Sequence, residues 1–265
     1  MAVLTFDDNV TLSDFGMANA KGNELALLGS ISSRTEKVPG RKGLLDYGNE
    51  VGSNTDKFPI IVLTQNSLER SYNMRAFKLF LLDDYGLPRY IKIHNSNEPD
   101  VYYWGKMTTA PVSALHNVTA DFVLEVTNLD GVKYSIAEAA EVLWGSQSIG
   151  FESNYLLGHT GSGAKELSVR SNVSFVPFVS GMAVHPYFVL DGSGTNVKII
   201  CSGQEINVGT FTGKLEIDTE NRIAYLNGAE RLMRMNKFLL VRNRPVTVSG
   251  SNMNFKLSNH FRDEF

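Results

Sequence analysis

The chain has a single cysteine, Cys201, in 265 residues, which excludes an internal disulfide framework. No apolar run approaches the roughly 20 residues that a helix needs to cross a bilayer, so no membrane partner is expected. Neither sign of charge prevails: 25 lysines and arginines stand against 28 aspartates and glutamates, a net of −3. Nucleic-acid binding usually needs a basic face, and this balance gives no reason to expect one. The opening residues MAVLTFDDN carry acids where a secretion signal carries bases, so synthesis and folding in a reducing cytoplasm are expected. Internal repeats and low-complexity tracts are lacking too. What is present is 43% hydrophobic and 20% charged, the balance of a folded chain. Its length is comfortable for two domains.

One long stretch, Leu68 to Asp84, has helical periodicity. Leu68, Tyr72, Ala76, Leu79 and Phe80 fall on one stripe, which Phe77 and Leu81 widen. That stripe is predicted to face a sheet. Asn66 or Ser67 caps the start, with Glu69 three residues after Asn66. Gly86 and Pro88 are predicted to end the helix. An amphipathic helix between strands implies a sheet with an apolar face waiting for it. Phe58 to Leu63 is apolar without alternation, as in a strand buried on both faces. Ile91 and Ile93 share one side of a strand, and Val101 to Met107 is aromatic-rich and strand-like. Val118, Ala120, Phe122, Leu124 and Val126 share one face of the clearest strand of this half. Earlier, Pro39-Gly40 suits the centre of a type II turn, from which Arg41 and Lys42 project at a loop tip.

Ser135-Ile136-Ala137-Glu138 has the form of a capping box and predicts a short helix to about Trp144. A Gly- and Ser-rich stretch follows, which places a domain boundary near Gly145 and gives domains 1–146 and 147–265. The second half alternates repeatedly: Met182 to Leu190, Val197 to Cys201, Leu215 with Ile217, and Met253 to Leu257. Asn227-Gly228 signals a tight hairpin. Six or more short strands without a helix read as a β-sandwich, and the chain as a whole is mainly β. The final strand, Asn252 to Phe261, could return to pair with the first domain.

The sequence offers no catalytic constellation. Gly158 to Glu166 glances at a phosphate loop, but Ala164 separates Lys165 from Gly163, and Glu166 would repel a phosphate. His94, His116, His159, His185 and His260 show neither HxH nor HExxH spacing, so no metal site is expected. His185 reads as a surface residue on a strand. Cys201, on an alternating strand, reads as a small buried apolar residue. Asp218 to Arg222 matches a calcium loop at its first position alone. Glu205, Glu216 and Asp218 could pair as in a glycosidase, yet Glu216 and Asp218 share the polar face of one strand. No G-x-S-x-G elbow occurs. The reading is a protein that is not an enzyme, with no catalytic residue and no cofactor.

Several segments, in one order, carry a resemblance: Val38-Pro39-Gly40-Arg41-Lys42-Gly43, the helix, and Glu98-Pro99-Asp100-Val101-Tyr102-Tyr103-Trp104-Gly105-Lys106. Gly181-Met182-Ala183-Val184-His185-Pro186, Asp191-Gly192-Ser193-Gly194 and Leu215-Glu216-Ile217-Asp218-Thr219-Glu220 complete it. The chain resembles the distal tail protein family of long-tailed phages and prophages of Gram-positive bacteria. The resemblance implies a first domain with the tail-tube fold, a β-sandwich or barrel packed with one helix, and a second that is a galectin-like sandwich. It implies a homohexameric ring at the virion tail tip, through which DNA passes without specific binding. The tail tube protein, a tail-associated fibre or lysin protein and a receptor-binding protein are the implied partners. Pro39, Gly40, Arg41 and Lys42 form the candidate ring-interface loop. The long insertion that some relatives use as an added carbohydrate-binding module is lacking. The alternative is a carbohydrate-binding sandwich that contacts the host wall. Sugar stacking needs an exposed aromatic; Trp104 and Trp144 precede the second domain, which leaves Tyr155, Tyr187 and Tyr225.

Overall fold

The computed structural model describes residues 3–26, 29–40, 42–116, 118–138 and 166–265. The chain divides into two compact units, Met1–Lys133 and Tyr134–Phe265. The junction expected at 146/147 falls within 139–165, outside the described residues.

The first unit opens with β1 (Leu4–Phe6), β2 (Val10–Thr11), a 3-10 turn (Leu12–Phe15) and β3 (Met17–Asn19). A hairpin of β4 (Ile31–Glu36) and β5 (Leu45–Val51) leads into β6 (Asn54–Leu63) and α1 (Ser67–Phe80). Then come β7 (Ile91–Asn95), β8 (Val101–Thr109), β9 (Val112–Leu115) and β10 (Thr119–Asn128). The main sheet is antiparallel in the order β2-β1-β7-β8-β10-β6-β3, with β9 beside β10. β10 and β6 pair along their whole length, from Thr119↔Leu63 to Asn128↔Asn54. Ala120, Phe122, Leu124 and Val126 are buried, as their alternation predicts. Val118 lies before the strand and is exposed. β6 differs from its expectation. Phe58, Ile60 and Val62 are buried while Pro59 and Ile61 are half-buried and Leu63 is exposed, so one face alone is packed.

α1 is the one α-helix among the described residues. The Asn66 side chain accepts from the Glu69 amide at 2.9 Å, and the Glu69 carboxylate accepts from the Gln65 amide at 2.9 Å. Four orphan amides begin every helix; the first bond satisfies one of them, and the second ties down the residue just before the cap. The helix ends at a right-handed Leu81, earlier than Gly86. Arg89 stops it from outside: its Nε donates to the Phe80 carbonyl at 2.7 Å and its guanidinium lies 4.5 Å from the Phe80 ring centre. Gly86, at φ +78°, instead serves the following turn, where the Asp83 carboxylate accepts from the amides of Tyr85 and Leu87.

The second unit contains β11 (Tyr134–Ser135), β12 (Leu167–Val169), β13 (Val173–Phe175), β14 (Tyr187–Cys201) and β15 (Gln204–Asp218). It closes with β16 (Ile223–Leu226), β17 (Ala229–Arg231) and β18 (Val246–His260). The sheet runs β12-β18-β14-β15-β16-β17, with β13 on β18. No described residue of this unit is in an α-helix. β14 passes unbroken through Asp191–Gly194, which its composition marks as a break. The register shifts between Gly194 and Val197, so the buried residues change from Phe188 and Leu190 to Val197, Ile199 and Cys201. Such bulges bend a strand, and both halves contribute to one core. Asn227 and Gly228, at φ 52° and 80°, form the tight turn that Asn-Gly predicts. β18 pairs with β12, β13 and β14, all in its own unit. Ser135 is in β11 and Ile136 and Ala137 are bends, so the helix expected from Ser135 does not start there; its continuation to Trp144 lies outside the described residues. The serine is already bonded elsewhere: its hydroxyl donates to the Ala137 carbonyl at 2.8 Å and accepts from the Asp263 amide at 2.9 Å.

Candidate assembly surfaces

Hairpin β4–β5 is a two-stranded sheet of its own, and nearly all of its side chains are exposed. Pro39-Gly40 forms a turn with Gly40 at φ +84°, the left-handed position that a type II turn gives to glycine. Pro39, Gly40 and Lys42 are exposed; Arg41 lies outside the described residues. Cross-strand polar pairs hold the arms, with Arg34–Glu50 at 2.7 Å and the Tyr47 hydroxyl donating to Glu36 at 3.1 Å. Ile31, Leu44, Tyr47 and Val51 are 52–62% exposed. An isolated two-stranded hairpin is marginal in water, and apolar side chains held out on one mark a contact surface.

The root of the hairpin is fixed. Gly52 donates to the Ser30 carbonyl at 2.6 Å. Gly131, at φ +69°, packs so closely that a Cβ there would come 2.1 Å from the Gly52 carbonyl oxygen. The Asn128 side chain accepts from the amides of Asp130 and Gly131 and donates to the Val132 carbonyl, which shapes that approach. Close by in sequence, Asp56 is 2% exposed and accepts from the Ala26 amide at 2.8 Å. Burial pushes its carboxyl above the ordinary range, against the pull of the Ala26 amide. The buried Tyr103 hydroxyl feels that carboxylate, which together with burial drives its pKa well up, but it lies outside hydrogen-bond geometry.

α1 presents two apolar faces. Phe77 and Leu81 are buried, and Phe77 meets Phe6, Phe15 and Phe122 at ring-centre distances of 5.2–6.1 Å. Most of the stripe expected to pack lies on the other face: Leu68, Tyr72 and Leu79 are 58–65% exposed and Ala76 is exposed too, while Phe80 of that stripe is half-buried against Phe6 and Phe15. At 100° per residue Leu68, Tyr72 and Leu79 sit roughly opposite Phe77, and Ala76 about 100° round from it. Periodicity gives the spacing of apolar residues, and here it fits both faces. The signal that finds the outer stripe is the width of the apolar arc, more than one sheet contact can cover.

Beside α1 lies a cavity of about 500 Å³ lined by Met17, Met74, Phe77, Leu81, Met107, Ala110, Val112 and Phe122, with Arg75 and Lys78. In the second unit a shallower depression of about 380 Å³ is lined by Glu138, His185, Tyr187, Val189, His260, Phe261 and Arg262. Tyr187 and His260 are direct cross-strand partners there, and His260 Nδ1 is 3.1 Å from the Glu138 carboxylate. His185 is half-buried rather than at the surface, its Nδ1 without a partner, and burial lowers its pKa. The Asp263 carboxylate accepts from the Ser180 amide and hydroxyl.

The remaining sequence candidates do not converge. Cys201 is fully buried. Glu205 pairs with Lys198 at 2.8 Å and Glu216 with Lys214 at 2.7 Å. Asp218 accepts from the amides of Glu220 and Asn221 and holds its own turn. Glu166 pairs with Lys256; residues 158–165 of the phosphate-like stretch are outside the described residues. Among the described residues no group of three His, Cys, Asp or Glu stands ready for a metal. Tyr187 is half-buried beside Glu216, Tyr225 is 37% exposed on β16, and Tyr155 is outside the described residues.

A helix-backed antiparallel unit with a projecting hairpin, followed by a second antiparallel unit, is a fold found in phage hub proteins. One solved structure that shares it is that of Dit (gp 19.1) of phage SPP1, described as a paradigm of hub adsorption apparatus in Gram-positive infecting phages. The match covers 100% of this chain and 99% of that one, with a TM-score of 0.69 and 14% sequence identity. The mainly β fold of the distal tail resemblance, with its one helix, is therefore the fold found. The baseplate of phage P2 in its activated conformation with Ca matches over 98% of both chains, with a TM-score of 0.41 and 9% identity. The fold assignment rests on the first match. No family model and no curated protein matches the chain.

Proposed function

We propose that this protein is a structural hub of a phage tail tip, closed as a homohexameric ring and without catalytic activity of its own. The observation that carries the reading is the end-to-end likeness to Dit, a protein of a hub adsorption apparatus. Ring closure needs a heterologous interface in which two different patches of each subunit meet head to tail. The first unit offers such patches: the projecting β4–β5 hairpin, with its exposed Ile31, Tyr47 and Val51 and the Pro39–Lys42 loop, and the outer face of α1. In the ring, tail tube protein binds one side and a tail-associated or receptor-binding protein the other, and DNA passes through the middle.

Light scattering on the purified chain tests the ring directly. A mass of six chains of 29.3 kDa is expected. Tyr47→Asp with Ile31→Asp, both at exposed positions, should leave folding intact and lower the mass. A monomer at tens of micromolar, or a mass indifferent to the hairpin variant, would sink the ring and its proposed interface respectively.

A further inference from the structure

We infer that the cavity beside α1 is a docking groove for a peptide segment of another protein, one that inserts large apolar side chains and flanks them with carboxylates. Met17, Met74, Met107 and Phe122 form its walls. Methionine side chains are flexible and polarisable, and they adapt to more than one apolar insert. The volume of about 500 Å³ is ample for one or two large side chains.

Charge selects the flanks. Arg75 and Lys78 line the opening and are exposed, and neither has an ion-pair or hydrogen-bond partner among the described residues. Two unpaired cations beside an apolar wall complement an anionic, amphipathic occupant. The shape of the surface favours a peptide over a lone acyl chain. The lining runs along α1 from Met74 to Leu81, roughly 10 Å of helix axis at 1.5 Å per residue. A surface that long matches a helix or extended segment with several anchors. The inference goes beyond the hub reading, because it concerns one chain and holds whether or not six chains close a ring.

The test uses the full chain and a fluorescein-labelled peptide with one Leu and one Phe anchor between Asp and Glu residues. A twin peptide carries Lys in place of the acids. Fluorescence anisotropy should show saturable binding of the acidic probe, with the basic twin and the Arg75→Glu/Lys78→Glu variant each weaker by about tenfold or more. Ala110→Phe, which fills the groove without touching its charges, should abolish binding while the melting curve stays cooperative. Equal binding of both peptides, no binding, or indifference to both variants overturns the proposal. So does displacement of the probe by oleate at equal concentration, which assigns the groove to a lipid. Light scattering runs on the same samples. Probe binding confined to dissociated monomers assigns the groove to a second copy of this chain and also overturns it.

Discussion

Asp56 costs the fold something. Its carboxyl is held above its ordinary value of 3.8 chiefly by burial, while the Ala26 amide, Tyr103 and the charge of Lys133 pull it down. The folded chain therefore binds that proton more tightly than the unfolded chain. Stability contributed by the site is present below the unfolded value and is lost as pH rises from 3.8 through the raised folded one. Asp56→Asn keeps an oxygen for the Ala26 amide and removes the charge. The difference in urea midpoint between variant and parent should move in the variant's favour between about pH 3.5 and pH 7. A parent that gains on the variant over that range would mean the carboxylate is stabilised in the folded chain. Period two puts Asp56 on the packed face of β6 with Phe58, Ile60 and Val62, but its partners are not legible, because they are the backbone of Ala26 and the ring of Tyr103, far away in the chain. Cys201 is a simpler case: its strand alternates plainly, and its burial is legible from its neighbours.

Elements were legible where one face is buried and the other polar. β10 and the second half of β18 show this, with Ala120, Phe122 and Leu124, and Met253, Phe255 and Leu257, all buried as their period of two requires. Legibility failed where local composition competed with pairing. Asp191-Gly192-Ser193-Gly194 looks like a turn, but β15 and β18 on either side supply its hydrogen bonds and hold it in β14. The helix failed differently: its start is readable from Asn66 and Glu69, but its end at Phe80 and its packed face are not. Leu79 looked like core and is 65% exposed, whereas Phe77 is 3% exposed. Phe77→Ala should cost about 3–5 kcal/mol, from lost transfer energy and the cavity left among Phe6, Phe15 and Phe122. Leu79→Ala should stay within about 0.5 kcal/mol in the unassembled chain. Urea denaturation at a concentration where the chain is monomeric separates them, and equal costs would overturn the assignment of faces. Of the candidate surfaces, the Pro39-Gly40 turn was readable because it is local. The groove was not, since Met17, Met107 and Phe122 come from three separate strands and Met74 from the helix packed on them.

At the scale of the whole chain, the two ends of the second unit hold each other across the 139–165 segment. The Ser135 amide donates to the Asp263 carbonyl at 2.8 Å, and the Asp263 amide returns a bond to the Ser135 hydroxyl at 2.9 Å. Arg262 donates to the carbonyls of Ser135 and Ile136, and His260 meets Glu138. Asp263 is 6% exposed and is itself held by Ser180. A chain cut between Gly145 and Ser148 thus leaves Ser135, Ile136 and Glu138 on the first fragment and the residues that clasp them on the second. Several buried backbone bonds would have to be given up together for the fragments to part, each leaving a donor or acceptor unsatisfied. Full-length protein carrying a protease site there, cut after folding, should therefore elute as one species at the mass of the uncut protein. Arg262→Ala with Asp263→Ala removes the Arg262 bonds across the cut and the Ser180 anchor of Asp263, and the cut variant should then release its fragments at a lower urea concentration than the cut parent. Light scattering on the eluted fractions reads both results. Fragments that separate in plain buffer would mean that the clasp contributes little and that the second unit is complete without residues 134–138. If instead they stay together, the mass of the cut sample also reports assembly. Six nicked chains in one particle would place ring closure in surfaces that the cut does not disturb, the hairpin and α1 among them.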